Sequence, residues 1–427
     1  MKEPSADRLP QLPLIGSAAH VLFDPLGVAE RAAAIGPVVP VRIVNKTVFM
    51  VSHPEAAKRI LIDNAANYNK QTRGFDRLRQ LLGQGLGTSE GETWRRHRRI
   101  VQPAFAKAVV ADYAQVMADA TTTTLAAWPA NKAIDAADAM THLTMRILGE
   151  CMLGADFRRV SPVFAKGLAE LMSLNQLDRV GLRRLAWWRR SLDEIRDEWD
   201  KIVFKIIADR RGSDAKADNL LSMLLRARDS EDESALSDVE VRDEIITMIL
   251  AGHETMANTL TWALHYISVD QRLQDRLFEE VNDSDDDLPL LSALLTETTR
   301  MRPPAWLIGR KCIADDTLCD VRVPARAGIV LNLHNIHRHP DFWPRPDRFD
   351  PDRHIDPPER HRCALIPFGA GKRGCVGYGM AMLEGQIILK NVLRRFRLRP
   401  GSERRVKAAP LMSMRPKGGL PLLIEPR

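Results

Sequence analysis

The sequence predicts a mainly α-helical protein with smaller β-sheets, an α+β fold, and three features lead there. From His53 to about residue 300 helical periodicity dominates, with breaks at 82–91, 211–219 and 282–289. Strand-like runs are confined to the first fifty or so residues, to 305–335 and to the last few positions. The order is therefore a little β, much α, some β, one helix and a β tail, which lacks the regular strand and helix alternation of a doubly wound sheet.

Taken in order, PVVPVRIV and TVFMVS flank Asn45-Lys46 and read as two strands joined by a turn. In the helical middle the clearest element is SDVEVRDEIITMILAGHETMANTLTWALHYI. It opens with Ser237 and Glu240, an S-x-x-E capping box ahead of a long apolar helix. Inside it, Gly252 costs about 1 kcal/mol against alanine, and the polar trio His253-Glu254-Thr255 needs partners in an apolar setting. Glu297 and Arg300 then share a helix face at i,i+3. Strands resume in WLIGRKC, LCDVRVPA and GIVLNL, a glycine-rich loop leads into the last long helix, and GLPLLIE closes the chain.

With 45% hydrophobic and 27% charged residues the chain is no disordered segment and can bury a large core. A length of 427 residues suits about three domains. No Gly/Ser or Pro-rich linker divides it, so a single large interlocked domain is expected. MKEPSADRLPQLPLIGS lacks the apolar run of a signal peptide or membrane anchor, so no transmembrane anchor and a cytoplasmic location are expected. The five cysteines are odd in number and contain no C-x-x-C pair, which gives neither a disulfide framework nor a structural zinc site. The net charge of +7 is spread too thinly to indicate nucleic acid, and none is expected as a partner. WRRHRR at 94–99 and LRRLAWWRR at 182–190 read first as solvated basic helix faces.

The loop FGAGKRGCVGYG demands a chemical reading. Gly369, Gly371 and Gly374 fit G-x-G-x-x-G, but a dinucleotide turn needs a strand leading in and an acid about twenty residues on. Pro367 interrupts the first, and RRFRLRP stands where the second belongs. A phosphate-binding Walker loop fails because Arg373 follows Lys372, and an H-E-x-x-H zinc site begun by His253-Glu254 fails at Ala257. What remains is Cys375 at a helix N-terminus, where backbone N–H groups and the helix dipole favour an anionic sulfur. The glycines allow a flat cofactor to approach the backbone, and Arg373 suits a carboxylate on it. A small buried hydrophobe is the commoner fate of a lone cysteine, yet it leaves the surrounding glycines unexplained.

The segment resembles the haem-binding signature F-x-x-G-x-R-x-C-x-G of the cytochrome P-450 family, filled at Phe368, Gly371, Arg373, Cys375 and Gly377. The resemblance implies the cytochrome P-450 fold, with a small β-rich lobe of about 1–60 plus 305–335 and a large helical lobe for the rest. It implies haem b (iron-protoporphyrin IX), with Cys375 as the thiolate ligand of the iron, Phe368 beside the sulfur and Arg373 on a propionate. AGHET resembles the family's oxygen-binding groove: Ala251 and Gly252 would leave room over the iron, and Thr255 and Glu254 would manage protons, Glu standing where many bacterial members have Asp. Glu297 and Arg300, with Arg348 from P-D-R-F, would form a buried triad supporting the loop. Trp94 and Arg98 resemble the family's W-x-x-x-R and would contact propionates, as would Arg310. The stretches 71–90 and 160–195 are expected to flank the pocket, with Trp187 and Trp188 in a lid helix.

The implied activity is a monooxygenase that activates O2 with two electrons and hydroxylates or epoxidises a small apolar substrate. The chain carries no reductase domain, so a separate ferredoxin or flavodoxin with its reductase is the expected donor, docking on a basic face that includes Arg96, Arg99 and Lys372; a monomer is expected. Three other readings compete. A haem-thiolate peroxygenase or redox-neutral enzyme is opposed by the intact Thr255, a haem sensor or carrier by the Glu254 and Thr255 pair, and a nucleotide-binding dehydrogenase by the loop's context.

Overall fold

A computed structural model describes residues 9, 16–154, 162–164, 166–167, 170, 192–212 and 219–427. The first two expected strands are β1 (Val38–Ile43) and β2 (Lys46–Val51), antiparallel with Ile43 opposite Lys46. That register places the turn at Val44-Asn45, one residue earlier than the sequence indicates. In chain order there follow β3 (Tyr68–Asn69), β4 (Lys132–Asp135), β5 (Leu307–Cys312), β6 (Asp316–Leu318), β7 (Val321–Val323), β8 (Gly328–Asn332), β9 (Phe396–Pro400), β10 (Ala408–Pro410), β11 (Met414–Pro416) and β12 (Pro421–Pro426).

The largest sheet has the order β1-β2-β8-β5-β3. Its join is the parallel pairing of β2 with β8, Val48 opposite Gly328 and Val51 opposite Leu331. A second sheet runs β4-β12-β9, and β6-β7 and β10-β11 are hairpins. β4 (KAID) and β9 (FRLRP) are missing from the sequence reading because two of four and two of five of their residues are charged and each pairs only with β12.

Five helices matter for the site: α1 (Gly91–Val101), α2 (Ala136–Leu148), α3 (Asp238–Val269), α4 (Pro289–Met301) and α5 (Tyr378–Arg395). α3 starts at the expected capping box. Ser237 Oγ accepts from the Glu240 amide at 3.3 Å, and Glu240 Oε2 accepts from the Ser237 amide at 2.8 Å. Its thirty-two residues span about 48 Å, and it is buried on nearly every side, as a helix apolar all round must be. α4 begins at Pro289 and receives a carboxylate from outside: Glu280 accepts from the Leu290 and Leu291 amides at 2.6 and 2.8 Å, satisfying donors that the helix leaves open.

One apolar core joins α2 to α5, with Leu148, Ile249, Leu260, Leu294 and Ile388 among its members. Another lies under the first sheet, around Val51, Ile60, Leu331 and Ile366. The cysteines form no disulfide, as the sequence implied. Among the described residues no helix is long and apolar enough to cross a membrane.

Candidate active site

Between the two cores lies a cavity of about 370 Å³. Ala251, Gly252 and Thr255 of α3 line it, as do Phe368, Cys375 and Gly377 of the glycine loop. The loop is closed by its own backbone: the Cys375 amide donates to the Phe368 carbonyl at 2.8 Å and the Gly374 amide to the Gly371 carbonyl at 3.0 Å. Gly371 has φ 68°, and a Cβ there would stand 2.2 Å from the Leu61 carbonyl oxygen. This glycine therefore serves the turn and its packing on Leu61 rather than the approach of a cofactor. Gly377 stands beside the thiol, its Cβ direction ending 3.9 Å from Cys375 Sγ.

The Cys375 side chain is exposed by area, because it opens into the cavity, yet protein surrounds it otherwise. Burial pushes its thiol pKa up, while the Gly377 amide and the Arg98 guanidinium pull it down. Arg98 Nη1 donates to the Gly374 carbonyl at 3.0 Å, which ties α1 to the loop next to the sulfur.

Arg373 is engaged by a residue that the sequence reading passed over. Its Nη2 bonds Glu90 Oε2 at 2.7 Å, its Nη1 donates to the Ser89 carbonyl at 3.0 Å, and its guanidinium lies over the Trp94 ring at 3.8 Å. Glu90 and Ser89 sit in the 82–91 break, where nothing but polarity marks them. Arg310 lines the same cavity at 8% exposure. It donates to the Gly309 carbonyl at 2.8 Å, and no carboxylate among the described residues lies in ion-pair range of it. Burial and then Arg373 push its pKa down to about 10. Lys70, also missed, is pushed down to about 7 by burial, Arg373 and Arg310. A flat dianionic cofactor fits this set: a sulfur in one wall, an open cavity, and a buried guanidinium without a counter-ion.

On α3, Thr255 Oγ1 donates to the Ala251 carbonyl at 2.7 Å, and its side chain lines the cavity. Gly252 lines it too, and a Cβ there would meet Leu148 Cδ1 of α2 at 3.1 Å. Glu254 turns the other way, about 100° round the helix from Thr255. It accepts from Ser413 Oγ at 2.6 Å, and Ser413 accepts from Asn258 Nδ2 at 2.6 Å. Burial raises the Glu254 pKa against the pull of Ser413 and Arg415. His253 is held neutral, pushed down to about 4 by burial, with Nδ1 3.1 Å from Thr144 Oγ1.

The polar centre on α4 departs from the expected triad. Glu297 and Arg300 are fully buried and bidentate, at 2.7 and 2.8 Å. Arg348 is exposed and contributes its carbonyl alone, to Arg300 Nη2 at 3.2 Å. The further partners of Glu297 come from the next turn, Arg353 Nε at 3.2 Å and His354 Nε2 at 2.8 Å. The turn closed by the Arg348 amide on the Arg345 carbonyl leaves the Arg348 side chain exposed, and the 3-10 turn Pro351–His354 carries Arg353 onto Glu297. Burial pushes the Glu297 pKa up, and Arg300 and His354 outweigh it, holding the group at about 2.

α1 is no solvated basic face. Arg96 Nη1 bonds Glu240 Oε1 at 2.7 Å, His97 is buried between Glu244 at 2.7 Å and Glu240 at 3.3 Å, and Arg99 pairs with Asp229 and Glu231 at 3.0 Å each. Of the three cations expected on a docking face, only Lys372 is exposed without an ion pair among the described residues. The stretch 71–90 does not line the cavity; its helix packs on Leu192–Arg211 and on α3 instead. Trp187, Trp188 and most of 160–195 lie outside the described residues. A buried carboxylate that sequence reasoning missed, Glu384 on α5, lines the cavity, and burial alone raises it to about 8.

Residues 8–422 match the family model described as Cytochrome P450. The chain is 32% identical over 414 residues to a protein named cyclooctat-9-en-7-ol 5-monooxygenase from Streptomyces melanosporofaciens, covering 91% of this chain and 88% of that protein. It is 31% identical to cyclooctatin synthase of the same organism, covering 97% and 94%, and 32% identical to pentalenene oxygenase of Streptomyces avermitilis, covering 91% and 90%.

Proposed function

The chain belongs to the cytochrome P450 family, and from that membership we propose that it hydroxylates or epoxidises an apolar small molecule with electrons from a separate carrier. It is a haem-thiolate monooxygenase, and its cofactor is haem b. Bound haem supplies an iron that binds and reduces O2, with thiolate ligation favouring cleavage of the O–O bond.

The residues divide the remaining work. Cys375 provides the sulfur, with Phe368 and Gly377 beside it, and Gly371 closes its loop. Arg98, Arg310 and Arg373 would hold the cofactor carboxylates, with Trp94 keeping the Arg373 plane in place. Thr255 commits its own proton to the Ala251 carbonyl, so Oγ1 presents lone pairs to the cavity and can hold a proton-donating water there. Glu254, raised by burial, keeps a proton closer to neutral pH than an exposed carboxylate does, and Ser413 orients it. Glu297 and Arg300 hold the backbone of the segment ahead of the loop, at His337, Pro346, Arg348 and Asp350.

The substrate proposal rests on one observation: apart from the cofactor-holding groups, Glu384 and the four threonines Thr144, Thr255, Thr259 and Thr299, the cavity wall is apolar. Leu148, Met152, Met248, Met256, Pro304 and Ile308 supply it. Methionines adapt to irregular hydrocarbon shapes. The relatives' names, cyclooctat-9-en-7-ol and pentalenene, accord with a cyclic hydrocarbon or its alcohol. The donor is a ferredoxin or flavodoxin meeting a surface that includes Lys372, and the protein works as a cytoplasmic monomer. The test is a titration of purified protein with cyclic alkenes and their alcohols, read as a spin-state change and as product under NADH with surrogate redox proteins. The proposal expects a response to these ligands and none to polar or anionic analogues of the same size; the opposite ranking would refute it.

A further inference from the structure

Away from the cavity, two chain segments bring imidazoles and a carboxylate together on the surface. His53 precedes the helix Pro54–Lys58, and His339 and Asp341 lie in the turn after the short helix Leu333–Ile336 that follows β8. One ligand atom from each of His53, His339 and Asp341 lies within 4.8 Å of the other two. The two imidazoles meet edge to face with centroids 4.6 Å apart, and His339 Nδ1 is 3.8 Å from Asp341 Oδ2. A second imidazole and carboxylate pair stands alongside, His361 Nε2 with Glu55 Oε1 at 3.1 Å.

We propose that His53, His339 and Asp341 form a binding site for a divalent transition ion of the zinc or nickel class, unrelated to the haem centre. Two neutral nitrogens and one carboxylate oxygen are the donors such borderline ions select. His339 Nδ1 is buried and has no hydrogen-bond partner, so it has a lone pair or a proton with nowhere else to go. Such an atom is uncommon in a folded protein. Bonds of about 2.1 Å put neighbouring ligand atoms about 3.4 Å apart in a tetrahedron. Contraction from the present spacing falls to Asp341, whose side chain is 72% exposed and free to rotate. His53 Nδ1 accepts from the Glu55 amide at 3.2 Å, and that long bond is surrendered on binding, whichever ring nitrogen takes the ion. Water or the neighbouring His361 completes the coordination. The ion would then clamp the start of the helix Pro54–Lys58 to the turn after the helix Leu333–Ile336.

The experiment titrates tag-free holoprotein with zinc chloride, and separately nickel chloride, by calorimetry in a non-chelating buffer. One equivalent is expected to bind, with His339→Ala and Asp341→Asn each weakening it by about tenfold or more. Both variants should keep the wild-type Soret spectrum and metal-free melting temperature. If His339→Ala fails to fold, Asp341→Asn alone decides. Crystals grown with zinc should show an anomalous peak between the three side chains. No binding by the wild type, equal binding by the variants, or a peak elsewhere would overturn the site.

Discussion

Ser413 donates its hydroxyl proton to Glu254 Oε1 across 2.6 Å, linking the β10–β11 hairpin near the end of the chain to the middle of α3. The bond holds down a carboxylate that burial pushes up. Ser413→Ala should therefore raise the Glu254 pKa further and move the alkaline limb of the kcat profile, where the proton is lost, to higher pH. Glu254→Gln should lower kcat by about a hundredfold while leaving substrate binding intact. Thr255→Ala should keep O2 consumption but cut product formed per O2 by about tenfold or more. Paired oxygen-electrode and product measurements against pH decide these points; unaltered coupling in Thr255→Ala would remove the proton role assigned here.

Arg310 carries a signed prediction. A buried guanidinium without a carboxylate is a liability until an anion arrives. Arg310→Met should raise the melting temperature of haem-free protein and at the same time lower haem retention. Thermal melts of apoprotein and haem transfer to a scavenging globin read the two effects separately. A variant less stable in the apoprotein and equal in haem retention would assign Arg310 a purely structural role.

Glu297 anchors the turn before the loop, and its loss leaves Arg300 buried without its counter-charge. Glu297→Gln should cost about 3–5 kcal/mol in denaturant unfolding, whereas exposed Arg348→Ala should stay within about 0.5 kcal/mol. The folded pKa of about 2 lies below the ordinary 4.5. The contribution is therefore complete above pH 4.5 and lost as pH falls toward 2, worth about 3 kcal/mol over that window. Unfolding at pH 5 and pH 3 should show a smaller acid loss in Glu297→Gln than in the wild type.

His97 works with the opposite sign. Burial lowers its pKa, but Glu244 and Glu240 outweigh that and leave it raised. Its stabilisation is complete below pH 6.5 and lost as pH rises through the raised value. The wild type should lose more stability on the alkaline side than His97→Gln, and parallel melting curves between pH 6 and 9 would contradict this.

Much of the architecture was legible because its signals are local. The capping box fixed where α3 starts, alternation marked β1 and β2, and the glycine and cysteine spacing located the loop. The misses are non-local. Glu90 meets Arg373 only because the fold brings a featureless break against the loop. Arg353 takes the place of Arg348 at Glu297 because the turns at 345–348 and 351–354, invisible in P-D-R-F, decide which arginine faces inward. β4 and β9 carry too little apolar alternation to be seen without β12 between them. The run at 94–99 looked solvated because the carboxylates that bury it, Glu240, Glu244 and Asp229, lie far away in sequence.

The most direct measurement is the carbon-monoxide difference spectrum of reduced wild-type protein beside that of Cys375→Ala. The account predicts the red-shifted Soret band of thiolate-ligated iron in the wild type and its disappearance in the variant. The same band, undiminished, in Cys375→Ala would contradict it.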